Sequence, residues 1–162
     1  MQLYLLRHGI AEDGKPGRPD AERVLTDEGR VRLRRVLKRA RQADVNPTLI
    51  LSSPYRRAVQ TAEVAVEVFR YAGEIVHSRA FVPESRPKEA WDEIRLHSGE
   101  DSVVVASHEP LMSTLIAYLL GCVSMEVDMK KGALVRIDLD RFGAEPHGVL
   151  KWMLTPGLCQ EA

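Results

Sequence analysis

The sequence predicts an α/β fold: a three-layer sandwich in which a mainly parallel sheet of about six strands is covered by helices on both faces. Short apolar runs typical of buried strands alternate along the chain with longer segments whose apolar residues recur at the helical period. No internal repeat or low-complexity tract interrupts that alternation. With 162 residues, the chain is expected to form a single domain spanning 1–162.

Six segments have the pattern of strands. Three of them are short, continuously apolar runs, which suit strands that are buried on both faces of a sheet. The others are shorter or alternate more between apolar and polar residues. In chain order, the six segments are 3–6, 49–51, 75–76, 103–106, 134–139 and 149–154.

Four segments between these strands have the pattern of helices. Thr26 is the predicted N-cap of the first, since apolar residues follow it at helical spacing. A second helix is predicted after Ser53, with Pro54 at its first position, where a proline loses no hydrogen bond. The remaining two are predicted over 87–97 and from near Pro110 onwards.

Composition and charge exclude several classes of protein. Lysine plus arginine and aspartate plus glutamate each number 23, so the formal net charge of zero gives no global sign of nucleic-acid binding. Cys122 and Cys159 form no CxxC pair and are expected to be free thiols. Residues 1–6 are too short for a signal peptide, and no run reaches the roughly 20 apolar residues of a membrane span. We therefore expect a cytoplasmic protein with no membrane partner.

Polar residues follow three of the predicted strands. The first strand ends in Arg7 and His8, the second runs into two serines followed by Arg56 and Arg57, and the third runs into His108. In parallel α/β sheets, ligands bind beyond the carboxyl ends of the strands. If the three strands are parallel neighbours, these side chains converge on one site.

The chemistry of these residues indicates phosphoryl transfer. Guanidinium groups match phosphate oxygens, and helix N-termini supply free backbone N–H groups. So much positive charge should lower the pKa of His8 and leave a neutral imidazole whose lone pair can attack phosphorus. Arg7, Arg57 and His108 can stabilise the charge on the transferring group. No carboxylate cluster suggests a metal, so neither a metal nor another cofactor is expected.

Four elements, in this order along the chain, resemble those of the histidine phosphatase superfamily, which includes the cofactor-dependent phosphoglycerate mutases. They are 6–9 (LRHG), 25–29 (LTDEG), 53–62 (SPYRRAVQTA) and 107–108 (SH) before a helix, and they resemble the RHG signature, the LTxxG element, the SPxxRAxQTA segment and the second-histidine site. The short chain most resembles SixA-type phosphohistidine phosphatases, which carry no cap insertion. The implied fold is phosphoglycerate mutase-like.

The resemblance also implies roles for individual residues. His8 would be the nucleophile, and Arg56 and Arg57 require a choice because they lie about 100° apart on a helix. Periodicity alone does not decide between them. The family places its arginine directly before the alanine, which favours Arg57 and leaves Arg56 in solvent. The implied phosphate-binding groups are His8, Arg7, Arg57, His108 and the backbone of Glu109.

The implied function is removal of a phosphoryl group from phosphohistidine on a protein, such as a histidine phosphotransfer-type domain. An open site suits a protein-borne group. The alternatives are a small-molecule phosphomonoesterase or mutase of the same superfamily, and a non-catalytic phosphate-recognition module. An esterase needs a general acid, for which Glu84 is the candidate. The sequence favours the other interpretation of Glu84, a solvated carboxylate in a loop.

Two further features remain open at this stage. Residues 30–41 contain seven cations in twelve positions. This helix either docks an acidic partner or presents a solvated face; nucleic acid is a less favoured partner. Residues 14–19 are a loop rich in glycine and proline that either borders the site or is inert. No such context surrounds the other three histidines, which are His77, His97 and His147.

Overall fold

The computed structural model describes residues 1–160 and contains a six-stranded sheet and four α-helices. The strands are β1 (Gln2–Arg7), β2 (Leu49–Ser52), β3 (Ile75–His77), β4 (Ser102–Ser107), β5 (Leu134–Leu139) and β6 (Gly148–Leu154). The helices are α1 (Asp27–Gln42), α2 (Arg56–Phe69), α3 (Pro87–Arg95) and α4 (Leu111–Leu119). Short 3-10 helices lie at Asp20–Glu22, Arg79–Phe81 and Pro156–Cys159.

The strand order of the sheet is β3-β2-β4-β1-β5-β6. The first four strands in this order are parallel, whereas β5 runs antiparallel to β1, and β6 runs antiparallel to β5. A short connection joins β5 to β6, and such a connection permits only an antiparallel pair. The predicted mainly parallel sheet of six strands is confirmed.

Helices cover both faces of the sheet, which confirms the three-layer prediction. Because side chains alternate along a strand, Val103 and Val105 of β4 face one layer while Val104 and Ala106 face the other. The first layer contains α3 and α4, with core residues that include Trp91, Ile94, Met112 and Leu115. The second contains α1 and α2, with core residues that include Leu33, Leu37, Ala62 and Ala65.

The start of α1 was predicted correctly. The Thr26 hydroxyl accepts a hydrogen bond from the backbone N–H of Gly29 at 3.0 Å, and the backbone N–H of Thr26 donates to the carbonyl of Ile10 at 2.9 Å. A Cβ atom at Gly29 would collide with that same carbonyl of Ile10. Glycine here therefore lets α1 pack closely against the chain that follows β1.

The predicted start of α2 is wrong. Pro54 lies outside the helix, which begins at Arg56 after an extended Tyr55. The hydroxyl of Ser53 accepts a hydrogen bond from the backbone N–H of Tyr55 at 3.3 Å, and this local turn replaces the first helical turn. The third helix ends at Arg95 rather than at residue 97, because the chain tightens there into bonds between residues three apart.

No helix within residues 1–160 combines the length and the apolar character that a membrane-spanning segment requires.

Candidate active site

Three adjacent parallel strands end at the same edge of the sheet. Arg7 of β1 is in register with Ser107 of β4, and Ser52 of β2 with Ala106 of β4. The ladder continues one residue further, because the backbone N–H of His8 donates to the carbonyl of Ser107 at 2.9 Å. This common register brings the polar residues that follow the three strands to one place.

The imidazoles of His8 and His108 face each other in that place. Their ring centroids are 5.2 Å apart and the ring planes are inclined by 55°. His8 is 6% exposed and His108 is 1% exposed. Two residues a hundred positions apart in the chain therefore share one buried, polar pocket.

The hydrogen bonds of His8 define its tautomer. Nδ1 lies 2.7 Å from the carbonyl oxygen of Gly9, so this nitrogen carries the proton and donates it. Nε2 accepts a hydrogen bond from Nε–H of Arg57 at 3.4 Å and therefore holds the lone pair. Burial lowers the pKa of His8 to about 3; the Gly9 carbonyl opposes this shift, while the charges of Arg57, Arg7 and Lys131 add to it. The result is a neutral imidazole with the lone pair of Nε2 directed into a cationic pocket.

His108 is held differently. Its Nε2 lies 2.8 Å from the hydroxyl of Ser53. Its Nδ1 is buried and has no hydrogen-bond partner within residues 1–160. Burial, the neighbouring imidazole of His8 and the charge of Arg57 lower the pKa of His108 to about 2. His108 is thus also neutral near pH 7.

Arg57 is buried at the start of α2, with 3% of its surface exposed. Beyond its bond to His8, its Nη2 contacts the carboxylate of Asp20 at 3.0 Å and its Nη1 donates to the Asp20 carbonyl at 2.9 Å. Arg56, by contrast, is exposed, and its nearest carboxylate is Glu63 at 3.9 Å. The structure therefore brings Arg57 to the site and leaves Arg56 at the surface.

Arg7 is fixed by a loop that follows α4. Its Nη1 donates to the carbonyl of Met129 at 2.6 Å, while its buried Nε has no hydrogen-bond partner within residues 1–160. The backbone N–H of Gly132 donates to the carbonyls of Arg7 and His8 at 3.2 and 3.0 Å. Gly132 has φ 77°, a backbone conformation that favours glycine. This loop holds the end of β1 and places Lys131 beside the pocket.

Two buried polar residues of α2 fix the surrounding loops. The side-chain carbonyl of Gln60 accepts a hydrogen bond from the backbone N–H of Leu25 at 2.7 Å. The hydroxyl of Thr61 accepts one from the backbone N–H of Gly9 at 3.2 Å. Because buried backbone donors need partners, these contacts position the residue that follows His8 and the segment that leads into α1.

Glu84 and Glu109 lie at the border of the pocket rather than inside it. Glu84 is exposed and accepts a hydrogen bond from the Tyr55 hydroxyl at 3.3 Å; the Tyr55 ring in turn packs edge-on against His108 at 5.2 Å. The carboxylate of Glu109 accepts a hydrogen bond from the backbone N–H of Ser113 at 2.8 Å and so caps the start of α4. Phosphate binding by the Glu109 backbone stays a prediction.

Asp20 was missed by the sequence analysis. Its carboxylate bridges Arg57 and Arg23, with Nε of Arg23 at 2.8 Å. Partial burial acts against the shift, but the hydrogen bonds from both arginines and their charges lower the pKa of Asp20. The only sequence signal was its place directly after the loop 14–19, and nothing in that loop indicates a partner 37 residues away.

The other histidines lie elsewhere: His77 at the end of β3, His97 beside Glu93 and His147 beside Asp140. No group of three or more histidine, cysteine, aspartate or glutamate side chains within residues 1–160 is arranged to hold a metal ion.

Comparison with known proteins gives three sequence matches. A model of the histidine phosphatase superfamily (branch 1) matches residues 3–81. The phosphohistidine phosphatase SixA of Escherichia coli K12 is 28% identical over 163 positions, which cover 96% of this chain and 94% of that protein. An uncharacterised protein of a Picosynechococcus species is 44% identical over 64 residues, which are 40% of this chain and 39% of that protein.

Solved structures with the same architecture include the protein histidine phosphatase SixA complexed with tungstate. It has a TM-score of 0.86 and 26% identity, and the match covers 97% of this chain and 98% of that one. A mycobacterial glucosyl-3-phosphoglycerate phosphatase has a TM-score of 0.73 and 16% identity, with 93% and 96% of the two chains covered. At this identity, the similarity to the mycobacterial phosphatase shows a shared fold and nothing about function.

Proposed function

Because the chain belongs to the histidine phosphatase superfamily, we propose that it removes a phosphoryl group through a phospho-His8 intermediate, without a metal. We propose phosphohistidine on a protein, such as a histidine phosphotransfer-type domain, as the substrate. The full-length similarity to SixA supports this substrate. We further propose that residues 1–162 form a single domain with no cap insertion, since an open site would admit a phosphoryl group carried on a protein surface.

The first step is transfer of the phosphoryl group to His8. The lone pair on Nε2 attacks phosphorus while the bond from phosphorus to the substrate imidazole breaks. Arg7, Arg57 and His108 bind the equatorial oxygens, where the transition state carries its charge. An imidazole is a good leaving group when its other nitrogen holds a proton, so this step has little need of a general acid. Water then attacks phospho-His8 and releases inorganic phosphate.

One observation carries the proposal: Nε2 of His8 is unprotonated, buried and directed at a guanidinium, 5.2 Å from a second imidazole. Burial also lowers the pKa of a purely structural histidine, so the geometry carries the proposal: Nε2 of His8 faces the Arg57 guanidinium beside a second imidazole. A nucleophile needs that environment, since protonation would remove its lone pair.

Acid-sensitive labelling tests the proposal. Wild type is mixed with radiolabelled phosphohistidine protein and quenched in alkali, and label stable to alkali but lost in acid is expected on the chain. His8→Ala is expected to carry none, while Arg56→Ala, which alters an exposed neighbour of the site, is expected to label normally. Label that persists in His8→Ala would exclude the mechanism. Turnover of any phosphorylated substrate excludes the non-catalytic module.

One observation favours the small-molecule phosphomonoesterase as a second candidate. The hydrogen bond from Tyr55 holds Glu84 at the border of the pocket, where a carboxyl group can serve an alkoxide leaving group. If this candidate is right, Glu84→Gln slows hydrolysis of phosphate monoesters about 10²-fold or more, the usual contribution of a general acid. For phosphohistidine the same substitution is expected to leave the rate unchanged, so the two substrates separate the two functions.

A further inference from the structure

Two grooves lined by cations run side by side from the active site along α1. The first, which we call the site-proximal groove, has a volume of about 520 Å³ and includes Arg7, Arg32 and Lys131 in its walls. The second, the α1 groove, has a volume of about 540 Å³ and is lined by cations at Arg34, Arg35, Lys38 and Arg39. The 3-10 helix Pro156–Cys159 contributes residues to both grooves. The two grooves therefore adjoin and form one cationic path, which includes Arg7 of the candidate active site at its near end.

Much of the positive charge on this path is not neutralised by the chain. Arg34 pairs with Glu67, Arg32 with Glu28 and Lys130 with Asp128. Within residues 1–160, the remaining cations of the path outside the pocket make no ion pair with a carboxylate; these are Arg35, Lys38, Arg39 and Lys131. Because the chain as a whole has zero formal net charge, this concentration is a local feature of one surface.

An exposed apolar pair lies among these cations. Val31 is 48% exposed and Leu158 is 75% exposed, and both line the α1 groove. On an ordinary solvated helix face, the long stems of arginine and lysine cover such residues. Here they do not. An apolar centre with a charged border is instead the usual composition of a protein–protein interface.

We propose that the site-proximal groove and the α1 groove together dock an acidic face of the phosphorylated protein substrate. This inference rests on the proposed function and names the surface that recognises the substrate. Arg39 lies seven positions after Arg32, so the cations extend about 10 Å along α1. This length suits a helix or loop of the substrate that lies beside the phosphorylated residue. Carboxylates of that segment would contact the cations, and an apolar side chain of it would contact Val31 and Leu158. The apolar pair favours a protein over a duplex nucleic acid, whose outer surface is dominated by phosphates.

A paired charge reversal tests the docking surface. The double variant Arg35→Glu, Lys38→Glu alters the α1 groove, away from every residue of the phosphate pocket. The matched control, Arg141→Glu, Lys151→Glu, reverses two exposed cations that line neither groove. The probes are a histidine phosphotransfer domain with an acidic surface, phosphorylated by phosphoramidate, and phosphoramidate itself. A second double variant, Arg35→Gln, Lys38→Gln, removes the two charges without reversing them and serves as the test if the glutamate variant fails to fold.

The groove variants are expected to lower kcat/KM for the phosphorylated domain about tenfold or more, within the range of electrostatic steering. High salt should reduce this difference, and turnover of phosphoramidate should stay unchanged. Unchanged kcat/KM for the domain in both groove variants would overturn the docking surface while leaving the proposed function intact. Failure of wild type to hydrolyse the phosphorylated domain would overturn both. Loss of DNA binding with no kinetic change would assign the surface to nucleic acid.

Discussion

The segments that follow β1 and β4 each bring a buried imidazole to the same pocket, but they hold the two rings differently. Both ring nitrogens of His8 have protein partners, Gly9 on Nδ1 and Arg57 on Nε2. His108 has one, Ser53 on Nε2, while its Nδ1 has none within residues 1–160. The two rings are similarly buried, but the hydrogen bonds of His8 fix its tautomer, whereas His108 keeps one ring nitrogen that can bind a ligand. The difference suits His8 to bond formation and His108 to hydrogen bonding.

The largest expected effect separates the two histidines by activity. His8→Asn removes the proposed nucleophile and is expected to lower kcat roughly 10⁴-fold or more. His108→Asn removes one donor to the transferring group and is expected to cost about 10²–10³ in kcat, while phosphorylation of His8 remains detectable. Initial rates with phosphoramidate measure the loss of kcat in each variant, and acid-sensitive labelling measures phosphorylation of His8.

The matched control is His147→Asn, which changes an exposed imidazole and is expected to leave kcat unchanged. Equal losses in His8→Asn and His108→Asn, with no label in either, would show that the two rings act as one unit and would remove the distinction between them.

A second effect concerns stability in acid. The pKa of both histidines is lowered in the folded chain, to about 3 and about 2, so between those values and about 6.5 the unfolded chain binds protons that the folded chain does not. Stability is therefore full above pH 6.5 and falls as the pH decreases. From pH 7 to 5.5, each histidine should cost about 1.2 kcal/mol of the free energy of unfolding.

Urea unfolding at both pH values, in buffer free of phosphate, measures this loss. His108→Asn is expected to lose about 1.2 kcal/mol less than wild type over that interval, and His147→Asn to match wild type. An identical loss in His108→Asn and wild type would mean that the folded chain binds a proton at His108 and that the ring is not neutral.

Much of the arrangement could be predicted from the sequence because its signals are local. A run such as 103–106, apolar at every position, predicts a strand buried on both faces, and the His108 that follows must then lie at the end of that strand. The pairing of Asp20 with Arg57 has no such signal, since it depends on how a loop folds over α2. Pro54 was misplaced because the Ser53 hydroxyl competes for the first turn, a contact that residue preferences do not encode.

The smallest expected effect concerns Asp20. It tests whether the Asp20 carboxylate competes with phosphate for the guanidinium of Arg57. The Asp20 carboxylate contacts Arg57, whose guanidinium is expected to bind the phosphoryl oxygens. Asp20→Asn should therefore tighten inhibition by inorganic phosphate or tungstate about two- to fivefold, which corresponds to ~0.4–1 kcal/mol, as for a partly exposed ion pair. Glu22→Gln removes a carboxylate from the same short helix and should change nothing. Weaker inhibition in Asp20→Asn would show that Asp20 positions Arg57 instead of competing for it.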